Sequence, residues 1–287
     1  MKRYIGLLLA FAAAGAARAA DMPSIITQRD RAVQSERPVD VILAEREIQA
    51  TVDIGRVASS DSGGGGLLGS IIIASMDDKR QRLTQAAQSQ AELTIKPLRD
   101  ALRGFDVDAL ALATTKTALA KPPWFRPGAI ASVTTATPSP VSSSAPQSAM
   151  VIYRLQASPD FTQVRVIADL RLSKAQAQPA LFYRQQISSI VVLHHPSLEP
   201  AENVAKWSAD DGKLAKSALT DAFSRLEQLL PFALGLNDAD AKAITAKNRP
   251  KVFGAGYYGP AVERPGATPG ETLLWKNGLI SVAQIAN

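Results

Sequence analysis

Residues 151–170, VIYRLQASPDFTQVRVIADL, decide the predicted fold. Apolar and polar residues alternate on both sides of Ser158-Pro159-Asp160, a composition typical of a turn. The alternating apolar positions are Val151, Tyr153, Leu155, Val164, Val166, Ala168 and Leu170. A third alternating run follows between Tyr183 and Leu193. Because short alternating runs separated by turn signals form antiparallel strands, we expect three such strands here.

A long amphipathic helix is predicted after these strands, from Ser208 to Gly235. Its apolar residues recur every three or four positions, with charged residues between them, so that one face must be buried. Ser208 and Asp211 fit a capping box at its start, and Gly235 fits its end. We therefore predict the α+β class, with an antiparallel sheet (a meander) between about Ala129 and His194 covered by this amphipathic helix.

The flanking segments predict further elements. Thr272 to Val282, with Asn277-Gly278 inside it, has the pattern of a β-hairpin that extends or flanks the sheet. Alternation between Val39 and Ile54 indicates a bent strand or a hairpin. Apolar residues from Leu83 to Leu102 keep helical spacing, and Pro97 either kinks this helix or begins a second one. Four glycines within Ser59 to Gly66 indicate a hinge, which makes this a Gly-hinged N-terminal helix.

The chain is expected to divide into four parts. Residues 1–19 are predicted to be a signal peptide, and residues 20–120 carry the N-terminal strand or strands, the Gly-rich hinge and the helical segment. Residues 121–149, rich in Pro, Ser and Thr, are interpreted as a loop or linker. Residues 150–287 hold the antiparallel sheet, the long helix and the C-terminal hairpin. These last residues form either a separate domain or one domain with residues 20–120.

The first nineteen residues predict export. Met1-Lys2-Arg3 leads into the apolar run Ile5 to Ala16, and Ala17-Arg18-Ala19 gives a small-residue cleavage site near Ala19. We expect export to the periplasm, with the extracellular medium as the alternative. The chain of 287 residues has no cysteine, which argues against a lipid anchor at the cleavage site and against a disulfide-linked partner.

The charge balance argues against nucleic acid as a partner. Loss of the three cations of the leader would lower the 32 Lys and Arg residues to 29, against 26 Asp and Glu residues. The remaining cations are interspersed with acids, whereas nucleic-acid-binding proteins cluster Lys and Arg on one face.

No motif predicts catalytic, cofactor-binding or metal-binding residues. His194 and His195 are adjacent, and on a strand they would point to opposite faces rather than share a metal ion. Pairs of Asp residues lie at predicted helix boundaries, where capping explains them. The glycine-rich loop around Tyr257 and Tyr258 lacks the residues of a phosphate-binding loop, which favours a packed turn over a peptide or sugar contact.

One candidate contact surface is a stripe of small residues. The candidate residues for contact with a partner or a membrane are Gly65, Gly66, Gly69, Ser70, Ile72 and Ala74. Such a stripe allows two helices to approach closely, as in bilayers. The apolar part of this segment, up to Met76, is shorter than the roughly twenty residues that a bilayer requires, so a buried helix is favoured.

A second candidate surface is the polar face of the three strands. If the alternating apolar residues point inward, side-chain alternation places Arg154, Arg165, Arg171 and Arg184 on the other face. Guanidinium groups there could bind carboxylate or phosphate groups of an envelope ligand. The alternative is a solvated face, which is common in antiparallel sheets.

These observations favour an exported, non-catalytic bacterial cell-envelope protein that acts as a binding or assembly factor. Its expected partner is another envelope protein or a membrane surface. Two alternatives stay open: a membrane-associated protein that inserts its Gly-rich apolar helix, and a periplasmic hydrolase, although no Gly-x-Ser-x-Gly elbow is present.

Fractionation of cells that express the full chain tests the leader and the membrane alternative. We expect a protein that begins at Ala20, determined by mass spectrometry, in the periplasmic fraction, because the leader should be cleaved there. Retention in salt-washed membranes, with release by Ile72→Lys, would instead favour the membrane-associated alternative. Uncleaved chain in the cytoplasm would contradict export.

Overall fold

The structure, a computed structural model, describes residues 23–52, 72–134, 145–175, 180–267 and 269–285, and only the backbone of residues 72–80. The strands are β1 (Arg37–Leu43), β2 (Gln49–Ala50), β3 (Pro127–Val133), β4 (Gln147–Ala157), β5 (Gln163–Lys174), β6 (Ala180–Val192), β7 (Lys251–Gly254), β8 (Tyr257–Pro260), β9 (Thr272–Trp275) and β10 (Leu279–Gln284). The helices are α1 (Gln28–Arg31), α2 (Ile72–Ala101), α3 (Val107–Leu119), α4 (Pro200–Gly235) and α5 (Asp238–Thr245).

One mixed sheet organises the described residues. Its strand order is β3-β1-β4-β5-β6-β10-β9, and β2 pairs with the end of β4. β4, β5 and β6 are antiparallel neighbours, as the alternating pattern predicts. The α+β class is confirmed, because helices pack against this sheet.

The prediction of a pure meander is wrong. β1 lies parallel to both β3 and β4, and β10 lies parallel to β6. Parallel neighbours need a long crossover connection, and helices serve that role here. α2 and α3 lie between β1 and β3 in the chain, and α4 lies between β6 and β10. The hairpin β9–β10 therefore continues the sheet rather than flanking it.

The long helix α4 begins earlier than predicted. Its first residue is Pro200, which needs no hydrogen bond at that position. The Ser208 hydroxyl donates back to the Val204 carbonyl, so Ser208 does not cap a helix. The buried Trp207 indole donates to the Phe161 carbonyl at 2.8 Å and fixes the first half of α4 to the β4–β5 turn.

A break at residues 209–212 divides α4 into two helical halves. Gly212 has φ +70°, and a Cβ there would lie 3.1 Å from Ala101 at the end of α2. Only glycine combines this backbone conformation with such a close approach of two helices. The second half then buries the predicted apolar stripe, including Leu219, Phe223 and Leu226, on the sheet.

Two upstream predictions also change. The segment 121–149 contains all of β3 and the first residues of β4. β3 is an edge strand with no buried residue, so it lacks the alternation that marks the central strands. Pro97 lies inside the single helix α2. The predicted hinge, Ser59 to Gly66, lies outside the described residues.

A fully buried guanidinium group joins the N-terminal segment to the sheet. Arg37, the first residue of β1, is 0% exposed and donates through Nε to Gln147 Oε1 at 2.8 Å. Its Nη atoms donate to backbone carbonyls of Asp30, Val33, Ser35 and Trp124. The group also lies 5.3 Å from the centre of the Trp124 ring. A buried cation requires such partners because it has lost its water.

We expect Arg37→Met to lower the free energy of unfolding by about 3 kcal/mol or more, because it leaves several buried carbonyls without a donor. Urea denaturation at pH 7 measures the change. Arg46→Met is the matched control, since Arg46 is exposed and should change stability by less than about 0.5 kcal/mol. Equal losses in the two variants would contradict this account.

Candidate functional site

The strand register places the four predicted arginines on the sheet face that points away from α4. Directly opposite residues of an antiparallel pair share a face. Arg165 lies opposite Gln156 and Ile190, and Arg171 lies opposite Met150 and Arg184. Arg154 lies opposite Ile167, which is diagonal to Arg165. The face that carries Arg154, Arg165, Arg171 and Arg184 is called the Arg face below.

Two of these arginines hold an internal carboxylate. Arg184 donates to both oxygens of Asp169, at 3.0 and 2.9 Å, and Arg171 donates to Oδ2 at 3.1 and 2.6 Å. The Asp169 side chain is 1% exposed. Burial by itself would raise the pKa of Asp169, but the hydrogen bonds and charges of the two arginines outweigh it and lower this pKa. Arg171 and Arg184 therefore share one carboxylate, which offsets one of their two positive charges.

A small hairpin covers the other end of the Arg face. Strands β7 and β8 pair with each other and pack on β9 and β10. Ile190, Leu274, Ile280 and Val282 form an apolar cluster under this hairpin. A Cβ on Gly259 would collide with the carbonyl oxygen of Trp275, so glycine is required for the hairpin to lie this close to β9.

A cavity of about 190 Å³ lies between the hairpin and the Arg face. Its polar lining residues are Arg165, Gln186, Ser188, Lys276 and Asn277, and its other lining residues are Ile167, Ile190, Tyr257 and Ile280. Arg165 and Lys276 both contact the Tyr257 ring, at 5.6 and 5.8 Å from its centre. The aromatic ring thus brings two cations from distant strands to one cavity.

The polar side chains that line this cavity make no hydrogen bond and no ion pair within the described part of the chain. Arg165 Nε is buried and has no hydrogen bond. No hydrogen bond or ion pair to another described residue is made by the side chains of Gln186, Ser188, Lys276 or Asn277. Gln186, Lys276 and Asn277 are exposed to water, whereas Arg165 Nε is buried, and buried polar groups normally find partners. The donors around the cavity are therefore available to a ligand.

The cavity is electropositive. Arg165 and Lys276 supply two positive charges, and no acid is among the lining residues that the structure describes. Asp169, the buried acid of the Arg face, already binds Arg171 and Arg184. Arg154, diagonal to Arg165, is half-buried and has no charged partner within the described ranges. The arrangement can attract and hydrogen-bond an anion.

The described lining of this cavity lacks the side chains that most often transfer protons or bind metal ions. No histidine or carboxylate is among its described lining residues. His194 and His195 lie beyond the end of β6, and their ring centres are 3.9 Å apart. The expectation that they lie on a strand and point to opposite faces is therefore wrong. Across the described ranges, no three His, Cys, Asp or Glu residues are grouped to hold a metal ion.

The other predicted contact surface cannot be placed. Gly65, Gly66, Gly69 and Ser70 lie outside the described residues, and Ile72 and Ala74 belong to the part of α2 for which only the backbone is described. None of the helices in the described ranges combines the length and the apolar character needed to cross a membrane.

Sequence reasoning missed Lys276, Asn277 and Ser188 as site residues. The Asn277-Gly278 signal predicted the β9–β10 hairpin but not where the hairpin lies. Gly278 has φ +147°, and a Cβ there would be 2.5 Å from the Gln186 carbonyl oxygen, so this turn fits closely against β6. That contact joins residues far apart in sequence and has no local signal.

Asp169→Asn tests the internal carboxylate. We expect the free energy of unfolding to fall by about 2 kcal/mol at pH 7, because charge-assisted hydrogen bonds are lost. A lowered folded-state pKa gives stability above the unfolded-state pKa of about 3.9, and this stability is lost as pH falls through the folded-state pKa. The difference between variant and wild type should therefore shrink below about pH 4.

Urea denaturation between pH 7 and pH 2.5 gives this difference. Glu45→Gln is the control, because Glu45 is exposed and its side chain makes no hydrogen bond or ion pair to another described residue; we expect a change below about 0.5 kcal/mol. Equal stability of Asp169→Asn and wild type at pH 7 would refute the stabilising role of Asp169.

Comparisons with known proteins give no relative to set beside this site. No family model, curated protein or solved structure matches the chain. The chemistry of the site therefore rests on its own residues: two cations, three neutral hydrogen-bonding side chains and an aromatic ring around one cavity.

Proposed function

We propose that this protein is an exported, non-catalytic bacterial cell-envelope protein that acts as a binding or assembly factor, and that the cavity of the Arg face binds an anionic group of its ligand. The leader-like residues 1–19 support export. The observation that carries the binding role is the buried Arg165 Nε without a hydrogen bond, beside other donors of the cavity that make no side-chain hydrogen bond to a described residue.

The cavity offers a physical reason for binding an anion. Arg165 Nε is removed from water without a compensating hydrogen bond, which costs free energy in the unliganded protein. A carboxylate or phosphate oxygen restores that bond and adds the attraction of two cations. The planar guanidinium group further matches the geometry of such oxygens. Binding therefore removes an unfavourable feature as well as adding contacts.

The position of Asp169 decides which arginines can serve the ligand. Arg171 and Arg184 both donate to this carboxylate, so an incoming anion would compete there with a negative charge that is already present. Arg165 has no such partner. We therefore assign ligand binding to the Arg165 end of the Arg face, and a stabilising role to the Asp169 end.

The chemistry of the lining favours binding over turnover. General acid–base catalysis needs a side chain that exchanges a proton near neutral pH, most often histidine or a carboxylate. The described lining holds neither. Ser188 supplies a hydroxyl without an adjacent base, which makes it a hydrogen-bonding group rather than an activated nucleophile.

Arg165→Ala tests this function with two small probes, benzoate and phenyl phosphate. We expect calorimetry to show that the purified protein binds at least one probe, and that Arg165→Ala weakens this binding at least about tenfold, because a charge-assisted bond is lost. Binding of neither probe at millimolar concentration would contradict the proposal.

Arg184→Ala is the matched control on the same face. It also removes one guanidinium group, but one already held by Asp169 outside the cavity, so we expect affinity to change less than about twofold. Equal weakening in the two variants would show a general effect of net charge and would contradict binding in the cavity.

A further inference from the structure

The cavity of the Arg face has features that distinguish among anions. We infer that it binds a phosphate monoester, a group that carries close to two negative charges at neutral pH. This inference rests on the proposed function, and it specifies the ligand group that the cavity holds.

Charge balance is the first argument. Arg165 and Lys276 line the cavity, and Arg154 lies diagonally beside Arg165. No acid among the described lining residues offsets them, and Asp169 is occupied by Arg171 and Arg184. A carboxylate or a phosphodiester supplies one negative charge and leaves the cavity positive. A phosphate monoester supplies about 1.5 to 2 and neutralises both lining cations.

The number of donors is the second argument. Arg165, Lys276, Ser188, Gln186 and Asn277 can all donate hydrogen bonds, and none makes a side-chain hydrogen bond to another described residue. A carboxylate has only two oxygens to receive these donors. A phosphate monoester has three terminal oxygens that accept strongly. A phosphate monoester can therefore accept hydrogen bonds from more of these donors than a carboxylate can.

The apolar wall indicates that the phosphate is esterified. Ile167, Ile190 and Ile280 are each less than a tenth exposed and lie next to the polar groups. Inorganic phosphate would leave this wall without a contact, whereas the carbon atoms of an ester would pack on it. The volume of about 190 Å³ is below that of a pocket for a drug-sized ligand, so the cavity holds a small ester or the end of a larger molecule.

The cavity walls are held in place before any ligand arrives. The close approach of Gly278 to the Gln186 carbonyl fixes the turn that carries Lys276 and Asn277. Gln163 Nε2 donates to the Ala255 carbonyl at 3.0 Å and ties the β7–β8 turn to β5. A preformed site loses little conformational entropy when it binds.

Calorimetry with phenyl phosphate and phenyl sulfate tests the inference. The two probes have the same shape but differ by about one charge at pH 7.5. We expect phenyl phosphate to bind at least about tenfold more tightly, because only it neutralises both lining cations. Equal affinities would overturn the inference, while dependence of both on Arg165 would preserve the proposed function. Binding of neither probe, nor of benzoate, would overturn both.

The pH dependence provides a second readout. The ionisable residues that face the cavity are Arg165, Lys276 and Tyr257, with Arg154 beside it; no histidine or carboxylate lines the described cavity. The second ionisation of a phosphate monoester, near pH 6, therefore dominates. From pH 7.5 to pH 5.0 we expect phenyl phosphate affinity to fall several-fold and phenyl sulfate affinity to stay constant. Equal changes for both probes would overturn the inference.

Lys276→Gln provides the matched test within the chain. It lowers the charge of the cavity by one, so we expect the preference for phenyl phosphate over phenyl sulfate to shrink at least threefold. Lys213→Gln, at an exposed position of α4 away from the cavity, is the control and should leave the preference unchanged. An unchanged preference in Lys276→Gln would overturn the charge argument.

Vesicles distinguish a lipid headgroup from a soluble phosphate ester. Phosphatidic acid presents a phosphate monoester, and phosphatidylglycerol presents a diester of lower charge. Flotation with phosphatidic acid vesicles but not with phosphatidylglycerol vesicles, lost in Lys276→Gln, would support a lipid source. Binding of phenyl phosphate without flotation would support a soluble source. Equal flotation with both lipids would overturn recognition of the monoester.

Discussion

The buried guanidinium group of Arg37 is the interaction on which the sheet depends. Inside the protein it can keep its charge only if every N–H finds an acceptor, and its acceptors come from the α1 region, the segment before β3 and the first residue of β4. Satisfying one cation therefore holds three separate parts of the chain together. Because Arg37 begins β1, the same contacts hold the start of this strand between β3 and β4, which both run parallel to it.

The two faces of the sheet are covered by different elements. One face is covered by α4 and the other helices and contains the large apolar cluster, including Tyr153, Leu170 and Phe223. Within the described ranges, the β7–β8 hairpin covers one end of the other face, and polar and charged side chains lie on the rest of it. A cavity forms where the hairpin meets the uncovered part, and charged residues at that boundary are partly removed from water while staying accessible.

The sequence predicts those elements whose signal is local. Alternation identifies β4, β5 and β6, helical spacing identifies α2 and most of α4, and Asn277-Gly278 identifies the last hairpin. The parallel pairing of β1 with β4, and of β10 with β6, could not be predicted. Each pairing joins segments more than ninety residues apart and depends on where the helices cross the sheet. The sequence does not reveal β3, because an edge strand without buried residues shows no alternation. It does not reveal the start of α4, because the first turns of this helix are held by a tertiary contact, the hydrogen bond from Trp207 to Phe161.

In the candidate site too, the sequence predicts what is local, here the face on which each arginine lies. The strand register, which is not local, explains why the arginines have different neighbours. Alternation alone places Arg165, Arg171 and Arg184 on one face, but the strand register decides their neighbours. Arg171 and Arg184 lie directly opposite each other, a like-charge pair that would be destabilising without Asp169 two positions earlier on β5. Arg165 lies opposite Ile190, and no acid lies within its reach on the described sheet. The same residue type thus has a carboxylate partner within the fold at one end of the sheet, whereas at the other end it lies opposite an apolar residue on β6.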